Sequence, residues 1–151
     1  MTSLDFLVGT WRGEGIGGYP TIPDFRYGQE LEVFVVPGKP YLGHHSRTWA
    51  ADDERPLARE VGWWRPQEGG AVELVLAHPT GVVEVFVGRV DGRRVEVATD
   101  VVARTPTAKE VAAEHRLYGI VADGDLAYAI DMAAVGQPLQ PHLSARLARV
   151  G

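Results

Sequence analysis

Closely spaced turn signals constrain this chain more than any other feature of its sequence. The dipeptides Asp91-Gly92 and Asp123-Gly124 each separate two β-rich runs, and both are typical of tight hairpins. Pro79-Thr80-Gly81 separates two further runs that are rich in valine and leucine. Proline and glycine clusters at residues 37–40 and 66–70 add two more turns. This spacing predicts about eight to ten short strands.

An all-β chain must cover or pair the edges of its sheet, so we expect a closed antiparallel barrel or a sandwich. A barrel of about eight to ten strands can enclose one small ligand. Residues 106–115 have the most helical composition, but a turn or a continuing strand is equally compatible with them. We expect one domain over residues 1–151, with at most one short helix and with enough apolar residues to form a core.

Composition excludes several classes of site and partner. The chain has no cysteine, which excludes disulfides, thiolate metal sites and a cysteine nucleophile. Its net charge of -5 and the absence of a basic cluster argue against a nucleic-acid partner. The sequence has no apolar run of membrane-spanning length, and its first residues lack the pattern of a secretory signal. We therefore expect a cytoplasmic protein without a membrane partner.

The segment Gly13–Gly18 satisfies the GxGxxG pattern of dinucleotide-binding proteins. That function requires the glycines to open a helix whose amides face a pyrophosphate. Pro20 and Pro23 follow instead, and no amphipathic helix pattern develops after the glycines. The glycines are better explained as residues of a strand.

A structural role explains this N-terminal segment more simply. In a first strand, Gly9, Gly13 and Gly15 would permit the close backbone approach and bending that a small barrel requires. Trp11 lies between them and would fill the base of the barrel with a large apolar ring that carries one hydrogen-bond donor.

Several segments together resemble the nitrobindin family. They are "GTWRGEG" at residues 9–15, "YPTI" at 19–22 and "VGQPLQPHLSARL" at 135–147, and "LVLAHPTG" and "PTAKEV" extend the likeness through the middle. The resemblance implies a ten-stranded antiparallel barrel similar in shape to fatty-acid-binding proteins and lipocalins. It also implies one ferric b-type haem per chain at the barrel mouth, isomerisation of peroxynitrite to nitrate, and binding of nitric oxide. A homodimer remains an open alternative.

Haem iron accepts His, Cys, Met or Tyr ligands from a protein. Each of the five histidines is ordinary by its spacing alone, and none forms a zinc motif. The resemblance selects His142, which matches the iron-ligating histidine of the family's PLQPH motif. It also implies that Thr21 contacts the haem and that Lys109 lies near the haem propionates.

The chain departs from the family pattern at one position. Several nitrobindins carry a histidine on the open face of the haem, in the segment that matches residues 55–60, where this chain has Ala58. His44 or His45 could partly replace it, but we expect both to be exposed at the surface. Two other functions stay open: a carrier of an apolar, fatty-acid-like ligand, and a haem-based nitric oxide carrier or sensor without turnover.

Overall fold

The computed structural model describes residues 2–151, and nearly all of them belong to ten strands or to short turns. The strands are β1 (Gly9–Tyr19), β2 (Ile22–Val35), β3 (Leu42–Ala50), β4 (Pro56–Pro66), β5 (Ala71–Ala77), β6 (Val82–Asp91), β7 (Arg94–Arg104), β8 (Val111–Ile120), β9 (Leu126–Ala134) and β10 (Gln140–Val150). Helical structure within residues 2–151 is limited to 3-10 turns at Asp5–Leu7, Glu68–Gly70 and Ala122–Gly124.

The ten strands form one closed antiparallel barrel. Each strand pairs with its neighbours in sequence, and β1 also pairs with β10, for example at Gly13 and Leu147. This closure selects the barrel over the sandwich. Residues 106–110 form a turn and residues 111–115 begin β8, so the helical composition of residues 106–115 does not produce a helix.

The glycines of β1 allow the backbones and side chains of neighbouring strands to approach closely. A Cβ atom at Gly13 would overlap the carbonyl oxygen of Arg146, and one at Gly15 would lie 2.6 Å from the carbonyl oxygen of Ser144. Gly9 has a φ of +147°, a backbone conformation that side chains disfavour. These glycines lie in the wall of the barrel, and the strand that contains the motif excludes its dinucleotide interpretation.

Trp11 fills the base of the barrel. Its side chain is fully buried, and its indole nitrogen donates to the carbonyl oxygen of Leu7 at 2.9 Å. The 3-10 turn Asp5–Leu7 therefore closes this end, with Leu4, Leu7 and Leu147 packed into the same core.

The opposite end of the barrel is open. Because consecutive strands run antiparallel, every second turn lies at the same end. The turns at residues 20–21, 51–55, 78–81, 105–110 and 135–139 share this open end, away from Trp11. No helix within residues 2–151 is long and apolar enough to cross a membrane.

Candidate functional site

A cavity of about 910 Å³ enters the barrel at the open end. His142 lines it from the start of β10, and Tyr27 lines it from β2. Ala58 lines it from the start of β4, while Glu60 and Arg116 lie among the side chains of its floor. The cavity therefore brings the predicted axial ligand into one chamber with a polar floor.

His142 is the extra residue of a β-bulge. The pairing of β10 with β9 moves from Pro141 to Leu143 and leaves His142 outside the regular register. A second bulge lies beside it, because the pairing of β1 with β2 is irregular between Gly17 and Tyr19. Bulges redirect side chains and are frequent next to functional sites.

The Nδ1 atom of His142 lies 3.0 Å from the carbonyl oxygen of Gly18. A carbonyl oxygen only accepts hydrogen bonds, so Nδ1 carries the proton and donates it. In a neutral ring this leaves the lone pair on Nε2, which is the form of histidine that ligates a metal. The backbone of β1 therefore fixes the tautomer that an iron ligand requires.

The electrostatic surroundings of His142 also favour the neutral ring. Burial lowers its pKa below the usual value, and the positive charge of Arg116 lowers it further. The hydrogen bond to Gly18 acts in the opposite direction, since it stabilises a protonated Nδ1. The net effect leaves the imidazole uncharged at neutral pH and available to a metal.

Tyr19 supports the imidazole from the side. Its ring meets that of His142 edge to face, with centroids 5.5 Å apart. Its hydroxyl donates to the carbonyl oxygen of Met132 at 3.0 Å and accepts from the amide of Ala134 at 2.9 Å. Tyr19 thus ties the end of β1 to the end of β9 beside His142. The sequence analysis missed this role, although the tyrosine belongs to the YPTI segment that it noted.

Thr21 and Lys109 lie at the same end of the barrel as His142, on two different turns. Both residues are exposed, and neither lines the cavity. The arginines Arg26, Arg55 and Arg59 line its rim instead. The sequence did not predict this role, because single arginines in short strands and turns resemble ordinary surface residues.

The expectation that His44 is exposed was wrong. His44 is only 2% exposed, and its Nδ1 accepts a hydrogen bond from the indole nitrogen of Trp64 at 3.0 Å. Its Nε2 must therefore carry the proton, and it donates to Glu60 at 2.9 Å. Position 44 faces inward because it lies two residues after the buried Leu42 on β3, and residues two apart on a strand share one face. Both ring nitrogens of His44 are engaged, so it does not replace a histidine on the open face.

The floor of the cavity is a buried ion cluster centred on Arg116, which is 2% exposed. Its guanidinium donates to both carboxylate oxygens of Glu60, at 2.8 and 3.0 Å, and to Glu114 at 2.9 Å. It also donates to the hydroxyl of Tyr118 at 3.0 Å. Buried charges are tolerated when they are paired in this way. These bonds fix Arg116 as a structural group of the floor.

The carboxylates of the cluster have different affinities for protons. Burial alone would raise the pKa of Glu60, but Arg116 and the bond from His44 hold it well below its usual range. Burial raises the pKa of Glu114 to about 7, against the attraction of Arg116. Carboxylates that share one guanidinium cannot all be stabilised in the charged form.

A second ion pair extends the cluster towards the β5–β6 turn. His78 lies 2.6 Å from Glu84. Burial lowers the pKa of His78, but the bond to Glu84 and the negative charges of Glu60 and Glu84 together outweigh burial and raise it. The second carboxylate oxygen of Glu84 is buried and has no hydrogen-bond partner within residues 2–151. No sequence pattern predicted a role for these two residues.

The residues present fit a haem. Among residues 2–151, His142 is the only histidine that lines the cavity, and its Nε2 lone pair is free. The rim arginines carry the charge that propionate carboxylates require. The donor set is that of a haem protein rather than of a zinc site, because no cluster of His, Asp or Glu within residues 2–151 has the geometry of a metal site.

Comparisons with known proteins agree with this geometry. The chain is 52% identical to a Frankia casuarinae protein named "Peroxynitrite isomerase", over 99% of this chain and 85% of that protein. It is 44% identical to a "Ferric nitrobindin-like protein" from Kineococcus radiotolerans, over 99% and 93% of the two chains. The crystal structure of Rv2717c from M. tuberculosis superposes with a TM-score of 0.88 at 45% identity, over 97% of this chain and 94% of that one.

A family model extends over nearly the whole sequence. The model of the THAP4-like, heme-binding beta-barrel domain matches residues 1–149. The match includes β1, β10 and the His142 segment, and it agrees with the closed barrel of the structure. The chain belongs to the family of THAP4-like, heme-binding beta-barrel domains.

Proposed function

We propose that this chain is a haem-dependent peroxynitrite isomerase. It binds one ferric haem b through Nε2 of His142, converts peroxynitrite to nitrate and binds nitric oxide at the same iron. The observation that carries the proposal is the hydrogen bond from His142 Nδ1 to Gly18, which leaves Nε2 as the free donor atom at the cavity. Relatives about half identical to the chain that are named peroxynitrite isomerase support the reaction.

Isomerisation of peroxynitrite to nitrate rearranges one molecule and needs neither an external electron donor nor a second substrate. When bound, ferric haem supplies a Lewis acid with one open coordination position. The protein's contribution is to orient the iron ligand and to shape a chamber from which the small anionic product can leave.

The chain's own residues would hold the haem in three ways. His142 would hold the iron through Nε2, with its ring fixed by Gly18 and supported by Tyr19. Apolar side chains such as Phe25 and Leu143 line the cavity and would contact the porphyrin faces. Arg59 and the other rim arginines would pair with the propionates.

Thr21 and Lys109 retain the roles that the family resemblance implies. The hydroxyl of Thr21 would contact the haem edge from the β1–β2 turn, and the ammonium of Lys109 would contribute positive charge near a propionate. Both side chains are exposed at the open end of the barrel.

A carrier of an apolar ligand is the alternative from another functional class. The size of the cavity favours it, because cavities of this volume hold fatty-acid-sized molecules. A lipid carrier has no need, however, for a histidine on a bulge with a fixed tautomer. A nitric oxide carrier or sensor would use the same haem site without turnover.

The proposal is tested with haem-reconstituted protein mixed with peroxynitrite in a stopped-flow instrument. We expect the parent protein to accelerate the decay of peroxynitrite, with nitrate as the product. In the presence of His142→Ala, peroxynitrite should decay at the same rate as in buffer alone. His45→Ala is the matched control, since His45 lies on the outer face of β3. Fatty-acid binding without haem binding would favour the carrier, and nitric oxide binding without accelerated decay would favour the sensor.

A further inference from the structure

The side chain of Ala58 cannot donate a hydrogen bond to a ligand in the cavity, but the backbone of Ala58 orients a neighbouring hydroxyl group that can. The amide of Ala58 donates to the Oγ1 atom of Thr48 at 3.1 Å. We propose that the Thr48 hydroxyl is the hydrogen-bond donor to anions that bind the haem iron within the cavity. This inference rests on the proposed function, because it concerns ligands of the iron that His142 would hold.

The register of β3 places Thr48 on the inner face of the barrel. Thr48 pairs with Gln29, and the residues two positions away on either side, Ser46 and Ala50, are both buried. Residues two apart on a strand share one face. Thr48 itself is partly exposed and lines the cavity.

An irregularity in β4 explains why the amide of Ala58 reaches a side chain. The pairing of β3 with β4 moves from Arg47 opposite Arg59 to Trp49 opposite Pro56, so β4 contains an extra residue here. The amide of Ala58 leaves the regular ladder and bonds to Thr48. Thr48 is therefore oriented by backbone geometry, independently of the side chain at position 58.

The hydroxyl of Thr48 retains its proton for a ligand. A threonine hydroxyl has one donor and two acceptor positions. The bond from Ala58 occupies an acceptor position, so the O–H is left to point elsewhere. Within residues 2–151, no hydrogen bond donated by this hydroxyl is present.

Other polar groups of the cavity are less suited to this role. All the guanidinium nitrogens of Arg116 bond to Glu60, Glu114 or Tyr118. The hydroxyls of Tyr27 and Tyr128 bond to each other at 2.6 Å. The hydroxyl of Ser46 is the strongest competitor, but Ser46 lies in the floor and is only 4% exposed. Because the rim arginines Arg26, Arg55 and Arg59 would pair with the haem propionates, Thr48 is the donor left for a small anion near the mouth.

A neutral hydroxyl at this position has a distinct consequence for the site. Anionic ligands such as peroxynitrite and azide present only acceptor atoms, so a fixed donor stabilises them when they bind. A histidine in the same role would gain and lose charge between pH 5 and 8, whereas a hydroxyl would not. Thr48 therefore stabilises bound anions without adding a pH dependence of its own.

The test is azide binding to the ferric, haem-reconstituted protein, followed by its absorption spectrum. Thr48→Val removes the donor at nearly constant volume, and we expect the Kd for azide to rise about five- to tenfold. Thr48→Ser keeps the hydroxyl and should stay within about twofold of the parent. Thr80→Val, on an exposed turn at the same end of the barrel, is the matched control. Thr48→Ala removes the hydroxyl without introducing the additional methyl group of valine.

The outcomes separate this inference from the proposed function. The role of Thr48 is overturned if the Kd for azide in both Thr48→Val and Thr48→Ala stays within twofold of the parent. It is also overturned if the Kd rises five- to tenfold in Ser46→Ala but not in the Thr48 variants. A parent protein without a His142-dependent haem spectrum overturns the proposed function and this inference together. Melting curves of the haem-free variants show whether each fold is intact.

Discussion

The ring of His142 and the carbonyl group of Gly18 meet across two neighbouring β-bulges, 3.0 Å apart. The two residues are 124 positions apart in the chain, and the pairing of β1 with β10 brings them together. The bond fixes the proton on Nδ1 and leaves the lone pair on Nε2. Closure of the barrel therefore also fixes the tautomer of the proposed iron ligand.

Gly18→Ala tests that relationship. A Cβ atom at Gly18 would overlap a carboxylate oxygen of Asp24, so the backbone or the Asp24 side chain must move. We expect haem to dissociate several times faster, because the carbonyl that orients His142 shifts. Transfer of haem to apomyoglobin measures the rate. Gly119→Ala is the control, since its Cβ atom would meet its nearest neighbour at an ordinary 3.5 Å; equal rates in both variants would contradict the expectation.

Tyr19→Phe should weaken the support of His142 and lower the stability of the barrel. The change leaves the amide of Ala134 without its acceptor and removes the bond to Met132. Loss of such buried bonds costs about 1–3 kcal/mol in the free energy of unfolding. Urea titration of the haem-free protein measures it. Tyr41→Phe, near the closed end of the barrel, should change it little, and an equal loss in both would argue against the specific role of Tyr19.

Glu114 makes the stability of the barrel depend on pH. Its pKa is raised from 4.5 to about 7, so the folded state holds the proton more tightly than the unfolded state does. This contribution to stability is fully present below pH 4.5 and is lost as the pH rises through about 7. We expect Glu114→Gln to match the parent near pH 4 and to be more stable than the parent, by a few kcal/mol, at pH 8.

Urea unfolding of both proteins at several pH values checks this expectation. Glu68→Gln, on an exposed turn at the closed end, serves as the control and should follow the pH profile of the parent. A constant difference between Glu114→Gln and the parent from pH 4 to 8 would show that the proton of Glu114 is not linked to folding.

Thr21 and Lys109 provide a test of the residues carried over from the family. Thr21→Ala and Lys109→Ala should each speed haem loss, but less than Gly18→Ala does, because both side chains are exposed and act only at the haem periphery. The spectra of the bound haem should stay unchanged. If both variants lose haem at the parent rate, Thr21 and Lys109 do not contribute to haem retention, and the rim arginines hold the haem periphery without these two residues.

The fold was predictable because its signals are local. Turn dipeptides such as Asp91-Gly92 and Asp123-Gly124 mark the strand ends, and alternation within each run follows from the two-residue period of a strand. The base of the barrel was predictable for the same reason, since Trp11 lies among glycines in the first strand. His142 was found through its motif rather than through its spacing.

The ion cluster was not predictable, because inward-facing charges violate the pattern on which strand prediction depends. Glu60, Glu84, Glu114 and Arg116 occupy core positions that apolar residues usually fill. On β4 the outward-facing residues Val61 and Trp63 are apolar, whereas the inward-facing Glu60 is charged. The sequence pattern of this strand therefore predicts burial of the opposite face. Only the assembled barrel shows that Arg116 of β8 reaches the carboxylate of Glu60 on β4. His44 was wrongly placed at the surface for this reason.

The most direct test of iron ligation is the ferric Soret band of His142→Gly with and without added imidazole. Removal of the side chain leaves space beside Gly18 where a free imidazole can bind the iron. We predict that the variant loses or strongly shifts the Soret band while its far-ultraviolet dichroism stays that of the barrel. Millimolar imidazole should restore the band and, in part, the conversion of peroxynitrite to nitrate. A Soret band identical to that of the parent without imidazole would contradict ligation by His142 and would assign the iron to another residue.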